Sequence, residues 1–86
     1  MPSTEPRPTI DREVHALIAR KGSPARTIRD SDHLLRDVGL DSLDVAELVT
    51  RLELTLGVDP FAEGATARDY GEFVAVYRDA VRDRRP

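Results

Sequence analysis

The 86-residue sequence predicts an all-α protein, a small antiparallel bundle of three to four helices with one long loop between the first two. Three observations lead there. Apolar residues recur at helical spacing in three separate stretches, and glycines follow the first two. No stretch carries the apolar–polar alternation of a strand. There are no cysteines, so neither disulfides nor a Cys-based zinc site can stand in for a core. A chain of this size buries roughly 60–65% of its unfolded surface, which supports one modest core and leaves little room for an enclosed enzyme cleft.

Residues 1–8 contain Pro2, Pro6 and Pro8 without apolar periodicity and read as a disordered tail. The domain is expected over 9–83, with 84–86 as a C-terminal tail. Thr9 or Asp11 can cap a first helix whose apolar stripe is Ile10, Val14, Leu17 and Ile18. Lys21-Gly22 ends it and Pro24 stands just beyond. Residues 22–41 form a long connection, and long loops in compact domains are often functional. Ile28, Leu34, Leu35, Val38 and Leu40 would pin this one to the core, with a short helical turn near 32–36.

Asp41 and Ser42 are both good cap residues. The strongest helix follows over 42–56, with Val45, Leu48, Val49, Leu52 and Leu56 inward and Gly57 as its stop. Pro60 to Gly64 can hold little more than one turn. Thr66 with Asp69 forms a capping-box pattern before a final helix over 67–83 that buries Tyr70, Phe73, Val74, Tyr77 and Val81. Gly71 is a mild weakness in that helix, and Arg82, Arg84 and Arg85 suit its C-terminus.

Net charge is −3, unevenly spread. Residues 1–29 carry six basic and three acidic side chains; residues 30–59 carry eight acids against Arg36 and Arg51, a net of −6. An acidic centre repels nucleic acid and suits basic protein partners. No stretch is long and apolar enough for a signal peptide or a membrane span, so the expectation is a cytoplasmic monomer with no membrane partner.

Ser42 is the residue that could carry chemistry. At the N-terminus of the strongest helix, free backbone N–H groups and the positive end of the dipole favour a phosphate ester on its oxygen. The plainer reading is that Ser42 is only an N-cap. Its surroundings are more specific: the run from Leu35 through Arg36-Asp37-Val38-Gly39-Leu40-Asp41-Ser42-Leu43 to Leu48 has an apolar residue, an acid, Gly-Leu-Asp-Ser-Leu, then an amphipathic helix with an early Glu47. Over about residues 9–81 the chain resembles the acyl carrier protein family.

The resemblance implies a 4'-phosphopantetheine arm, donated by coenzyme A and attached to Ser42 by a separate phosphopantetheinyl transferase. The arm's thiol would carry acyl groups as thioesters, which suits a chain without Cys. It further implies no catalysis by the chain itself, and delivery to acyl-loading and condensing or tailoring enzymes with basic docking surfaces, in polyketide or other specialised biosynthesis. Asp41 would help dock the transferase. Leu43 would face outward as a partner contact, unless it is a core residue. Asp44 and Glu47 would dock basic partners or complement the helix dipole, worth roughly 0.3–1 kcal/mol each. Ala46 and Thr50, one turn apart on the same side as Leu43, complete the docking set and are smaller than their family counterparts.

Arg51 and Leu54 also depart from the family's acidic face, and the segment Asp59 to Gly64 is shorter than the usual third helix. Phe61 is expected to plug the space there. Together these features predict a short, polar or aminoacyl-like cargo left exposed. The alternatives are a discrete aminoacyl or peptidyl carrier, or an unmodified helical interaction module.

No hydrolase elbow of the Gly-x-Ser-x-Gly kind accompanies His15 or His33, which read as ordinary side chains. The acids near Asp30-x-Asp32 and Asp37 to Asp44 lack the glycine and terminal Glu of a calcium loop, so no metal site is expected.

Overall fold

The computed structural model describes residues 5–84, folded as three helices, a long loop and one 3-10 turn. Helix α1 spans Arg7–Arg20, α2 spans Ser42–Leu56 and α3 spans Tyr70–Asp83. A 3-10 turn occupies Pro60–Glu63. The all-α bundle with its long first crossover is the architecture expected.

The start of the chain departs from expectation. Helix α1 begins at Arg7, before either expected cap, with Pro6 in the cap position and Pro8 in its first turn. Proline suits a first turn because its missing N–H has no helical partner there anyway. Pro6 is buried, and the Glu5 carboxylate takes the Arg78 guanidinium at 2.7 and 3.1 Å, so residues 5–8 belong to the packed fold. Pro2 lies outside the described residues. Asp11, freed from capping, accepts the buried Tyr70 hydroxyl instead.

The loop is pinned as its apolar residues require. Leu34, Val38 and Leu40 are buried and Ile28 is partly so, whereas Leu35 is 43% exposed and does not pin it. One helical turn forms over 34–37, closed by Asp37 N–H to His33 O at 2.8 Å. Arg26 ties the loop to itself through Asp32 at 3.1 Å.

Helix α2 runs as predicted, with Leu48 and Leu52 fully buried and Val45, Val49 and Leu56 half-buried at its edges. It packs against α1, which in turn meets α3. Gly57 ends α2 at φ 79°, a left-handed conformation that favours glycine, and its N–H caps Glu53 O at 2.8 Å. The Arg84 guanidinium donates to Leu56 O at 2.8 Å, so the basic tail of α3 closes the end of α2.

Helix α3 starts three residues later than expected. Asp69 is its cap and accepts Glu72 N–H at 2.9 Å, so Thr66 plays no capping part. Gly71 proves to be a packing requirement. Its N–H bonds Asp30 O at 2.8 Å, and a Cβ there would lie 3.0 Å from the Asp30 Cβ. A side chain there would press on the loop, which would have to shift by a few tenths of an ångström to admit it.

The core is completed by Phe61 stacked on Phe73 at 5.5 Å, with Tyr77 against both rings at 5.9 and 5.2 Å. The Tyr77 hydroxyl is buried with no hydrogen-bond partner among the described residues, and burial, with Asp59 and Glu53 nearby, pushes its pKa upward. Among the described residues no helix is long and apolar enough to cross a membrane.

Candidate functional site

The N-terminus of α2 offered two residues able to cap it, and the structure assigns the task to Asp41. Its carboxylate accepts Asp44 N–H at 2.8 Å, and the Asp44 carboxylate reaches back to Asp41 N–H at 3.0 Å. This reciprocal box satisfies two donors. Ser42 is consequently not the cap. It is the first helical residue, exposed, with its hydroxyl unpartnered among the described residues. Val45 N–H donates to Asp41 O, which leaves the N–H groups of Ser42 and Leu43 without partners among the described residues at the positive end of the dipole. A free hydroxyl beside two free N–H donors fits a phosphate ester.

The rest of the expected docking set is brought together on α2, with one difference in its charge. Leu43 is 79% exposed, which removes the core reading. Ala46 and Thr50 are exposed on the same side, and Thr50 ties up its hydroxyl on Ala46 O at 3.0 Å. Leu54, 82% exposed, extends the apolar stripe one turn further. Asp44 and Glu47, however, are not an open acidic patch. Lys21 Nζ lies 2.7 Å from the Asp44 carboxylate, and Arg20 bonds Glu47. Arg51 adds a 3.3 Å contact to Glu47 from within α2.

The end of α1 thus pairs two of the eight carboxylates in what the sequence presented as a −6 segment. The Asp41 N–H, then Lys21, hold the Asp44 carboxyl below its ordinary value of 3.8; the Asp44 carboxylate raises Lys21 in return.

Beside Ser42 opens a cavity of about 370 Å³. Val45 and Val49 of α2, Leu34 and Leu35 of the loop, and Phe61, Ala67 and Phe73 give it apolar walls; His33, Arg68 and Ser42 are its polar members. Its size falls in the range at which pockets enclose small ligands. Phe61 does not plug this space. Stacking on Phe73 holds it as one wall, so the short 3-10 segment leaves the cavity open, contrary to expectation. Arg68 at the rim is held by Glu72, with contacts at 3.1 and 3.5 Å.

The sequence reading passed over His33. Its Nδ1 accepts Leu35 N–H at 3.1 Å and Arg36 N–H at 3.3 Å, while Asp37 accepts His33 N–H at 2.7 Å. It caps the single turn of the loop and faces the cavity that holds Ser42. The signal was an acid four residues after a side chain able to accept, ahead of an apolar turn. His15 lies apart from this site and hydrogen-bonds the carbonyls of Asp11 and Arg26. No group of metal-binding side chains occurs among the described residues.

A family model for the phosphopantetheine attachment site matches residues 12–66. No curated protein and no solved structure gives a significant match to the chain.

Proposed function

The chain belongs to the phosphopantetheine attachment-site family, whose prosthetic group is covalent 4'-phosphopantetheine, and on that premise we propose that Ser42 is the residue that bears the arm. One observation carries the assignment. Asp41 takes over the capping, so the Ser42 hydroxyl stays free at the first helical position with two bare N–H donors beside it. When bound, the arm supplies the thiol on which cargo is carried.

The chain's own residues would do three things. Asp41 and Asp44 hold the helix end that presents Ser42 to the transferase. Leu43, Ala46 and Thr50 offer partner enzymes an apolar contact, rimmed by Glu47. Val45, Val49 and Phe61 wall a cavity beside the attachment point. Those apolar walls support an acyl rather than an aminoacyl cargo. They also favour a group that enters the cavity over one left wholly exposed. The protein would be a carrier without catalysis of its own, working in the cytoplasm where coenzyme A and its transferase are found, in polyketide or related biosynthesis.

Incubation with coenzyme A and a broad-specificity phosphopantetheinyl transferase should add one arm mass to the protein. Ser42→Ala should add none and keep its helical circular dichroism. Equal modification of that variant would sink the assignment.

A further inference from the structure

We propose that His33, through its Nε2–H, donates a hydrogen bond to a carbonyl oxygen of the arm or its cargo inside the cavity beside Ser42. The inference rests on the attachment of the arm to Ser42 and adds a residue that selects what lies against it. Three observations support it.

First, the tautomer is fixed by the fold. Nδ1 accepts two backbone N–H groups, from Leu35 at 3.1 Å and Arg36 at 3.3 Å. A nitrogen that accepts cannot carry the ring proton, so in the neutral imidazole the proton sits on Nε2.

Second, that Nε2–H has no protein acceptor among the described residues, and the side chain is only partly exposed. The donor is therefore free of protein partners, and an oxygen that displaces water from it inside an apolar cavity gains a hydrogen bond strengthened by the loss of competing solvent.

Third, His33 lines the same cavity as Ser42, whose walls are otherwise mostly hydrocarbon. The other polar side chain at that rim, Arg68, is turned to Glu72 through its Nε and one terminal nitrogen. His33 is a directional donor there whose partner-free N–H is set by its tautomer. An apolar pocket with one placed donor discriminates by the position of an oxygen atom. A saturated chain would leave the donor unpaired, whereas an oxygenated acyl chain would satisfy it.

The test observes the imidazole directly by ¹H–¹⁵N NMR on the full chain, with loading confirmed by mass. Four forms are compared: unmodified, carrying the arm alone, carrying a hydrolysis-resistant octanoyl group, and carrying its β-keto counterpart. The unmodified protein should show Nε2 protonated and Nδ1 bare. A downfield move of Nε2–H with slowed water exchange on adding the arm alone assigns the acceptor to an arm amide. A move confined to the β-keto form assigns it to the cargo, and a move in both acyl forms to the thioester-position carbonyl.

His33→Asn keeps an acceptor for the turn but lacks the distant donor. It should fold and load like the parent, while losing the extra protection of the β-keto group against hydroxylamine or the shifts of the arm's amide signals. An Nε2–H signal unmoved in every confirmed loaded form overturns the inference and leaves Ser42 attachment standing. Failure of Ser42 to load at all would take both down together.

Discussion

The two ends of α2 are held by opposite means. At the Ser42 end the fastenings are polar and exposed: the Asp41–Asp44 box, the Lys21 and Arg20 contacts, and an open cavity alongside. At the Gly57 end they are a left-handed glycine and the Arg84 contact to Leu56 O, with Tyr77 near Glu53 and Asp59. The rings of Phe61 and Phe73 join Tyr77 in the core but also wall the cavity beside Ser42, so the aromatic cluster serves both ends. The difference lies in the caps. Asp41 caps α2 one residue before Ser42 and leaves the Ser42 hydroxyl bare, whereas glycine and a guanidinium close the backbone of the far end.

The comparison breaks first at its strongest point. Phe73→Ala removes a buried ring from the aromatic cluster and should cost about 3–5 kcal/mol in urea unfolding. Asp41→Ala should cost only about 1 kcal/mol, the usual value of a lost cap. Equal costs would mean that the exposed cap carries as much stability as the buried ring.

Acid sharpens the contrast next. The Asp44 carboxyl is depressed below its ordinary 3.8 by the Asp41 N–H and Lys21. Glu5, held by Arg78, and Glu72, held by Arg68, lie below their ordinary 4.5. A depressed carboxyl means that the unfolded chain binds more protons, so stability rises with pH across the interval. These contributions are complete above the ordinary values and are lost as pH falls through the lowered ones. Asp44→Asn should therefore flatten the acid limb of a melting-temperature profile below about pH 4. Tyr77→Phe should not change its slope; an unchanged Asp44→Asn profile would show that the box carries no linked proton.

The smallest effect separates the two tyrosines. Tyr77→Phe removes a buried hydroxyl that bonds nothing and should be neutral or stabilising by up to about 1 kcal/mol. Tyr70→Phe breaks the bond to Asp11 and should destabilise by about 1–2 kcal/mol. Equal and opposite results in thermal melts would reverse the roles given to these hydroxyls.

The same contrast explains what could be read in the sequence. Helix α2 was legible to the residue because its stripe, its cap and its glycine agree. The start of α1 was misplaced because Glu5 and Arg7 draw order from Arg78 and Asp30, distant in sequence, and the start of α3 because Asp69 rather than Thr66 is its cap. Gly71 looked like a flaw because the Asp30 backbone it admits lies 41 positions away. At the site, Ser42 and Leu43 stood out through their motif. The pairing of Asp44 and Glu47 did not, since Lys21 and Arg20 belong to another helix. His33 was read as an ordinary side chain because the cavity it lines appears only when the loop is laid on the bundle.

The contacts from Arg20 and Lys21 have a consequence for traffic between proteins. Long-range steering depends on uncompensated charge, and it falls away where a surface cancels its own field. Pairing two front carboxylates with Arg20 and Lys21 weakens that field beside Ser42 while leaving residues 30–59 net acidic. The more of a surface's charge is spent on itself, the more an encounter must be decided at contact, by shape and by apolar area. Leu43 and Leu54 are the exposed apolar side chains of α2 that such a contact would meet.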